Sequence, residues 1–587
     1  MKKIRIPIMI QDPQVVLEGR IKSTEGYDSE REYFLDGPIT ENVAVLEFNP
    51  QTGELEPGVR YNQGKRRGWY EDVKGQDLNK AHGKALYEPK FMQVSVFASV
   101  LRTIDLFTKS DTLGRPLTWA FEGSQIFVIP RAGEMYNAFY HRDSHSLQFF
   151  YATNVQTGKT IFTCLSRDIV AHETGHAIID GIAPDFLDAA TPQSLAIHEA
   201  MADLTAMLMA FSSHNLRIFI LKKGDGSIKI EGPNPFIQIA EEFGAERGHE
   251  HGLRTLDNEA TLDPKDRENY VGRTEPHILS LVLSGALFNV MYQIHENLKP
   301  QIAEDPKYAN KKDPIFSASG FALHKGAERF KRMTFRALDY MPPGEASFED
   351  FGRAIIAVDQ VAYPDDPKMR NWISEEFLRR HIVRDRLALE KPQEIVCPEL
   401  EKMDITSLVN SDWLAYEFAN ANRDLLGIPE EIPFRVRPRL EVKKKYDKDR
   451  EVKECVFKVS WEHIEKNPIG SRYPEYRSIT VGTTLAIDWN TGHILAKLTN
   501  APPSQRIKKG EDPSEHKRLL DEHKQQKEDR DAFLRNLAAN GLLKIGSHAF
   551  GPDGEPLNLA VRADMSDGVM RLRGTGNMLY IMEEDYG

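Results

Sequence analysis

Two histidines and a glutamate within one five-residue segment are the residues of this chain most able to do chemistry. Residues 172–176 read His-Glu-Thr-Gly-His. Side chains four residues apart share one face of an α-helix, so His172 and His176 can direct two imidazole nitrogens at one zinc ion. Glu173 lies beside that pair, where a general base for a zinc-activated water is needed. The spacing predicts a zinc-dependent enzyme that hydrolyses peptide bonds.

The residues around this motif indicate that the helix carrying it is buried. The alternative is a surface helix with two solvated histidines, but apolar side chains flank the motif on both sides: Ile169, Val170, Ala177, Ile178 and Ile179. Buried imidazoles need polar partners, and a metal ion is one such partner. Ser166 is predicted to cap the helix, and Gly181 to end it in a left-handed conformation. Gly175 costs about 1 kcal/mol relative to alanine in a helix, which indicates a closely packed neighbour.

A second helix can supply the third protein ligand that catalytic zinc requires. Residues 194–211 have an apolar helical pattern in which Glu199 and Asp203, four positions apart, share a face. Glu199 is predicted to bind zinc, and Asp203 to accept a hydrogen bond from a ligand histidine and so fix its orientation. The alternative is a solvated acidic stripe on that helix. Pro184 and Pro192 mark the short connection between the two helices.

Together with segments elsewhere in the chain, this pattern resembles the thermolysin family of neutral zinc endopeptidases. The similarity covers about residues 87–390 and follows the family's order through these segments: Tyr136 to Tyr140, Asp168 to Glu173, Asp180, Glu199 to Asp203, residues 253–257, His277 and residues 347–382. The resemblance implies a two-lobed catalytic unit, in which a β-rich lobe and a helical lobe enclose a single catalytic zinc ion.

The resemblance also implies roles for residues outside the zinc motif. Asn137 and Ala138 would pair with the backbone of an extended substrate as an added strand. Arg254 would lie near the pocket that receives the residue after the scissile bond, and that residue would be bulky and apolar. His277 would stabilise the oxyanion of the tetrahedral intermediate.

The chain departs from the family at three positions. Leu187 stands where the family has a tyrosine, so a second donor to the oxyanion is not identified. Gly272 replaces the acidic partner of the catalytic histidine, and Glu275 is the nearer carboxylate. Ala210 replaces a glutamate that binds calcium in the family. Because calcium sites are cages of several oxygen ligands, calcium binding is not carried over to this chain.

Two other functions stay open at the level of the sequence. A zinc aminopeptidase shares the His-Glu-x-x-His pattern, but the chain has no Gly-x-Met-Glu-Asn segment of the kind that holds a free amine. A zinc-stabilised binding protein that has lost catalysis is favoured by the departures at 187 and 272. The intact Glu173 favours the enzyme, because structural zinc sites are usually closed by four protein ligands.

The remaining histidines near these segments are interpreted as non-ligands. His198 precedes the proposed ligand glutamate but lies about 100° away around the helix, so we expect it to be solvated or packed. His141 and His145 flank a strand pattern and are expected at the surface. His249 and His251 lie in a polar loop that would bind a metal only adventitiously.

Composition limits the partners and the compartment. The net charge of −12 argues against nucleic acid as a partner, and the basic runs at 65–67 and 443–445 are short enough to be solvated. Three widely spaced cysteines provide no disulfide framework.

The apolar run behind the basic N-terminus is too short for a secretory signal, so we expect a cytoplasmic protein or one exported without a cleaved signal peptide. The apolar stretch 278–294 is interpreted as a buried helix, so no membrane span is expected.

The chain is predicted to be an α+β protein with three regions. Residues 1–85 are β-rich, residues 86–392 form the thermolysin-like zinc peptidase domain, and residues 393–587 form an α+β domain of unknown role. Whether the first region inhibits the enzyme is left open. In the last region the patterns predict strands at 455–461 and 478–500, turns at 488–492 and 551–554, and a charged, solvent-exposed helix at 513–540.

Overall fold

The chain folds into a mixture of helices and strands, which confirms the coarse α+β class. A computed structural model describes residues 1–19, 21–49, 51–73, 83–108, 112–154, 158–232, 234–239, 254–389, 395–447, 450–506, 513–546 and 560–575. The turn predicted at 551–554 and the loop containing His249 and His251 lie outside these ranges.

An antiparallel hairpin opens the chain and packs on the first long helix. Strands β1 (Lys2–Met9) and β2 (Thr24–Arg31) pair along their whole length, with the short helix α1 (Pro13–Glu18) between them. Ile4, Ile6 and Ile8 of β1 are buried, and the strand packs against helix α2 (Pro89–Thr108). Pro89 occupies the first position of α2, where its missing N–H has no helical partner to lose.

The strands of a four-stranded sheet precede the histidine-bearing helix in the chain. Its strand order is β3 (Val43–Val45), β6 (Ile126–Ile129), β8 (Ser146–Phe149) and β7 (Ala138–His141), so β7 is the last strand on one side. Four short strands also precede that helix: β4 (Tyr61–Asn62), β5 (Trp69–Tyr70), β9 (Tyr151–Thr153) and β10 (Thr160–Phe162). Two more follow it in the chain: β11 (Gln238–Ile239) and β12 (Arg254–Thr255).

Helices dominate the middle of the chain and share one large apolar core with β1, α2 and the four-stranded sheet. Helix α3 (Arg167–Ile182) carries the histidine motif and packs on α5 (Pro192–Ser212), with the single turn α4 (Asp185–Asp188) between them. The others are α6 (His214–Lys223), α7 (Pro276–Ala303), α8 (Pro306–Ala309), α9 (Pro314–Tyr340), α10 (Phe348–Ala362) and α11 (Lys368–Arg379).

The last part of the chain is built on a large sheet with order β13-β15-β16-β20-β19-β18, in which β14 also pairs with β15 and β17 with β16. Its strands are β13 (Phe434–Val436), β14 (Leu440–Asp447), β15 (Arg450–Lys466), β16 (Tyr476–Asp488), β17 (Ile494–Thr499), β18 (Leu543–Ile545), β19 (Val561–Ser566) and β20 (Val569–Gly574). Its helices are α12 (Pro398–Lys402), α13 (Ile405–Asn410), α14 (Asp412–Ala421), α15 (Arg423–Leu426), α16 (Pro503–Arg506) and α17 (Pro513–Ala539).

Predictions for this last region are confirmed for the strands but are wrong about the exposure of α17. Strands β15, β16 and β17 cover the predicted segments, and a turn joins β16 to β17 with Gly492 at a φ of 71°. The second half of α17, by contrast, buries Arg530, Phe533 and Leu534. The alternating charges of α17 predicted exposure on all sides. Arg530 is nevertheless buried, because it pairs with carboxylates inside the protein instead of remaining in water.

The predicted start of α3 is correct in position, the predicted end at Gly181 falls within the last turn, and the predicted mechanism is wrong at both ends. Ser166 is the N-cap residue, but its hydroxyl lies within hydrogen-bond distance of the Asp12 and Asp168 carboxylates and donates its one proton to one of them instead of accepting from the helix. Gly181 lies inside the last turn, and a Cβ atom there would overlap the carbonyl oxygen of Thr118. Glycine is therefore needed for a close approach of two backbones and not for a left-handed end.

Helix α7 is longer than the apolar stretch 278–294 suggested. By length and composition alone, α2, α5 and α7 could each cross a membrane. All of the apolar window of α5 and 78% of the windows of α2 and α7 are buried inside the protein. This burial supports core helices, and the absence of a membrane span stays a prediction.

Candidate metal centre

Helices α3 and α5 bring three potential metal ligands together inside the protein. His172 Nε2 lies 2.9 Å from His176 Nε2 and 3.6 Å from Glu199 Oε2, and His176 Nε2 lies 3.4 Å from Glu199 Oε1. A tetrahedral zinc ion with bonds of about 2.0–2.1 Å holds its ligand atoms roughly 3.3–3.4 Å apart. Among the residues that the structure describes, this is the one group of histidines, cysteines and carboxylates arranged to hold a metal ion.

The donor set fits zinc in chemistry as well as in spacing. Two imidazoles, one carboxylate and room for a water molecule are the ligands of catalytic zinc in peptidases. Glu199 Oε1 is buried and accepts no hydrogen bond from the described part of the chain. A buried oxygen without a donor costs free energy, and a cation at this point would satisfy it.

Close packing between α3 and α5 sets these distances. A Cβ atom on Gly175 would lie 3.2 Å from Ala202 Cα, tighter than ordinary van der Waals contact. Gly175 and Ala202 thus let the two helix backbones approach at the level of the ligands. The closely packed neighbour predicted for Gly175 is confirmed.

Electrostatics inside this group favour an ionised Glu199. Burial opposes its charge, but His277, His176, His172 and Arg254 around it hold the pKa of Glu199 well below the usual range. Burial also lowers the pKa of His172, yet bonds to Asp203 and Glu199 outweigh it and raise that pKa to about 10. A ligand nitrogen has to be unprotonated, so zinc can bind His172 only when Nε2 carries no proton.

Asp203 lies where the sequence predicted, beside a ligand histidine. Its Oδ1 is 2.9 Å from His172 Nδ1, on the side of the ring opposite the ligand nitrogen. Both side chains are buried. A carboxylate in this place orients the imidazole and makes it a stronger ligand.

Glu173 is held at the edge of the four-stranded sheet. Its Oε2 accepts a hydrogen bond of 2.9 Å from the backbone N–H of Tyr140 in β7, and the side chain is only 5% exposed. The Tyr140 hydroxyl donates to Asp180, also on α3, at 2.9 Å. Strand β7 is thereby fixed alongside the helix that carries the metal ligands.

Of the two residues expected to pair with substrate, Ala138 has its backbone groups on the outer edge of β7, whereas Asn137 precedes the strand and its carbonyl faces β8, so the prediction is wrong for the backbone of Asn137. In an antiparallel ladder, alternate residues direct their N–H and C=O groups to opposite sides. The Asn137 carbonyl accepts from Phe150 N, so Ala138 and Tyr140 have theirs on the outer edge. The N–H of Ala138 donates to Asn137 Oδ1 at 2.7 Å, and a substrate carbonyl would have to replace that side chain.

His277 stands at the start of α7, next to the ligands. Its Nε2 is 3.6 Å from Glu199 Oε1, and its Nδ1 is 3.1 Å from Glu275 Oε1. Glu275 is also the N-cap of α7 and accepts from the backbone N–H groups of His277 and Ile278. Glu275 thus supplies the acidic partner that Gly272, with no side chain, does not.

Arg254 reaches the ligands themselves. Its guanidinium donates to Glu199 Oε2 at 3.0 Å and lies 3.3 Å from His172 Nε2. His172 Nε2 has one lone pair, so it can accept from Arg254 or bind a metal ion but not both. Arg254 must move away from His172 when a metal binds, and it can retain Glu199 or turn to substrate.

His198 is the functional neighbour that sequence reasoning missed. It is completely buried, not solvated, and its Nδ1 lies 2.7 Å from His176 Nδ1. Burial lowers the pKa of His198 to about 4, so its ring is neutral at neutral pH. The sequence predicted it to be solvated or packed, and the structure shows it packed against His176. The available signal was the apolar character of residues 195–211 on every side of the helix, because a helix that is apolar all round is buried.

The other positions singled out in the sequence lie elsewhere. Leu187 is buried in an apolar cluster with α17, so it offers no donor to the site. His141 and His145 are half-buried, and His145 stacks on Phe121. Ala210 is buried on α5, and the neighbouring carbonyl of Met209 accepts from Arg167.

Comparisons with known proteins give no relative from which a function could be read. No protein-family model matches the chain, and no curated protein matches it either. The functional assignment therefore depends on the geometry and chemistry of the residues themselves.

Proposed function

We propose that this protein is a zinc-dependent endopeptidase of the thermolysin type, with His172, His176 and Glu199 as zinc ligands. One observation carries the proposal: a buried His-His-Glu group with metal-ligand spacing lies beside a glutamate that is fixed to the edge of a sheet. Peptide hydrolysis needs a cation, a general base and an extended substrate close together, and this arrangement supports all three.

The residues of the chain then have separate tasks. When bound, zinc would acidify water and polarise the substrate carbonyl. Glu173 would accept the proton of the attacking water and pass it to the leaving amine, which is worth about 10²–10⁴ in rate. His277 would donate from Nε2 to the developing oxyanion, a contribution of roughly 3–4 kcal/mol.

The substrate would lie along β7 as an added antiparallel strand. The outward backbone groups of Ala138 would pair with the peptide, which provides affinity with little dependence on side chains. Arg254, released from His172, would meet the substrate carbonyl beyond the scissile bond. We infer the two-lobed arrangement and the preference for a bulky apolar residue after that bond from the family resemblance alone.

The decisive experiment combines metal analysis with cleavage of a fluorogenic peptide blocked at both ends. Glu173→Gln should bind zinc as tightly as the wild type and lower kcat by about 10²–10⁴-fold, because the base is lost and the ligands are kept. Glu417→Gln, an identical change at an exposed residue of α14, is the control and should cleave normally. A Glu173→Gln protein that cleaves at the wild-type rate would contradict the proposal.

The same assay separates the two alternatives. An aminopeptidase would cleave the peptide with a free amine and leave the blocked peptide intact. A zinc-stabilised binding protein would contain the metal and cleave neither. Only an endopeptidase should cleave the blocked peptide. That cleavage should stop when a chelator removes the metal and should return when zinc is added.

A further inference from the structure

The two ligand histidines have different partners. His172 faces the Asp203 carboxylate, whereas His176 faces another histidine, His198, with 2.7 Å between the two Nδ1 atoms. The rings of His176 and His198 lie nearly parallel, with centroids 4.9 Å apart and planes 27° apart. His176 is 2% exposed and His198 is not exposed at all, so water does not compete for this contact.

One proton must lie between the two Nδ1 atoms, because two lone pairs at this distance would repel. A histidine that binds a metal through Nε2 carries its proton on Nδ1. His176 is therefore the donor, His198 accepts at Nδ1, and the proton of His198 is on Nε2. The contact thus fixes both tautomers.

Helix geometry explains why α5 can hold both partners. His198 lies about 100° to one side of Glu199, and Asp203 about 40° to the other. One helix therefore supplies a ligand and, on either side of it, the group that orients each histidine. A neutral imidazole at 198 also adds no further negative charge to a site that already contains Glu173, Glu199 and Asp203.

We propose that His198 is a positioning residue that orients His176 and holds it in the tautomer that binds zinc, and so sets the zinc affinity of the site. The inference rests on the zinc site of the proposed function, but it concerns metal binding and not the cleavage reaction. Partners of ligand histidines typically contribute 10–100-fold to metal affinity.

Asparagine and glutamine at 198 test this role separately from packing. The Oδ1 of asparagine occupies nearly the place of a histidine Nδ1 and can accept from His176, whereas the head of glutamine lies nearer the place of Nε2. We expect His198→Asn to retain the zinc affinity within about threefold, and His198→Gln and His198→Leu to weaken it 10–100-fold.

The measurement is the zinc dissociation constant of the full chain, by competition with a chelator of known affinity. The absorption spectrum of the cobalt-substituted protein and the ¹⁵N signals of His176 would report its ligation and tautomer. Unfolding midpoints of the metal-free variants show whether each variant folds. If His198→Leu does not fold, the inference is tested by comparing the zinc dissociation constants of the asparagine and glutamine variants.

Three results would overturn the inference. Wild-type affinity in His198→Gln, or equal weakening in the asparagine and glutamine variants, would reduce His198 to a packing residue while the zinc peptidase proposal stands. Failure of the wild-type protein to bind zinc would remove both. Because affinity is measured apart from peptide cleavage, these failures are distinguishable.

Discussion

Glu275 combines two tasks that many helices divide between residues. Its carboxylate accepts from the backbone N–H groups at the start of α7 and from His277 Nδ1. The first task anchors the helix, and the second holds the imidazole of His277 with Nε2 towards the proposed metal ligands. A single residue therefore couples the start of α7 to the orientation of His277.

Two substitutions of Glu275 separate these tasks. Glu275→Gln keeps one oxygen acceptor for the backbone but removes the second acceptor and the charge, so kcat should fall about tenfold while the unfolding free energy falls less than in Glu275→Ala. Glu275→Ala should lose a similar factor in kcat and also about 1 kcal/mol of stability, the usual value of an N-cap. Peptide cleavage and urea unfolding of both variants check this, and equal kcat in Glu275→Gln and the wild type would contradict it.

The three proposed metal ligands and the carboxylate beside one of them were the residues that the sequence could predict. His172, His176, Glu199 and Asp203 follow from spacing along single helices, because helical geometry alone sets which side chains share a face. The contacts of His198 and Arg254 depend on how one element is rotated against another. Residue spacing within one helix does not specify how that helix is rotated against its neighbours, so these contacts could not be predicted from the sequence.

Helix α3 is positioned by contacts at its middle and at its end. Gly175 allows α5 to approach, and Gly181 allows the backbone of Thr118 to approach. The sequence predicted the first contact from the helix cost of glycine. It assigned Gly181 to a left-handed end because glycine near a helix end usually has that role. A distant segment, Thr118, determined the outcome.

Alanine substitutions test the importance of the Gly181 contact. Gly181→Ala gains helix propensity but places a methyl group against the Thr118 carbonyl, so the unfolding free energy should fall by about 1–3 kcal/mol. Gly320→Ala on α9 is the control, because its Cβ would meet only Leu221 Cδ1 at 3.8 Å. The control should gain up to about 1 kcal/mol from propensity. Urea unfolding measures both, and equal gains would show that the close approach is relaxed without cost.

At the scale of the whole molecule, the last region is built into the scaffold of the metal centre. Leu187 and Ala190, between α3 and α5, are buried in one cluster with Phe533 and Leu534 of α17. Asp185 of α4 pairs with Arg437, which precedes β14. The segment that joins the two ligand helices is thus covered by parts of the chain that lie more than two hundred residues later. Strand and helix patterns predicted the elements of this region, but not their partners.

Substitution of Phe533 tests how much the packing of α17 over this segment contributes to the free energy of unfolding. Phe533→Ala removes a ring that is 1% exposed, and such changes typically cost about 3–5 kcal/mol. The same change at Phe321, which is 43% exposed on α9, should cost less than about 1 kcal/mol. A cost for Phe533→Ala no greater than that of the control would show that α17 adds nothing to the fold. Denaturant unfolding followed by circular dichroism provides both values.

A charged cluster joins the large sheet to α17 and predicts how the protein responds to acid. Glu465 of β15 accepts from Arg477 at 2.8 Å, from Arg530 at 2.7 Å and from Lys527 at 2.9 Å. Burial opposes its charge, but these cations outweigh burial and lower the pKa of Glu465 to about 2. A carboxyl group with a pKa lower in the folded than in the unfolded protein stabilises the fold above its ordinary pKa, near 4.5, and loses that effect as pH falls towards 2.

Glu465→Gln should therefore be less stable than the wild type by about 3 kcal/mol at pH 7, since each pKa unit corresponds to about 1.4 kcal/mol. Between pH 4.5 and pH 2 this difference should shrink, because the protonated wild-type side chain comes to resemble glutamine. Urea unfolding of both proteins across that range isolates Glu465 from the other carboxylates, which titrate in both. A difference that stays constant with pH would mean that the three cations stabilise the fold by packing alone. A difference that narrows would show that their charge holds α17 on the sheet, and with it the cover over the segment between the two ligand helices.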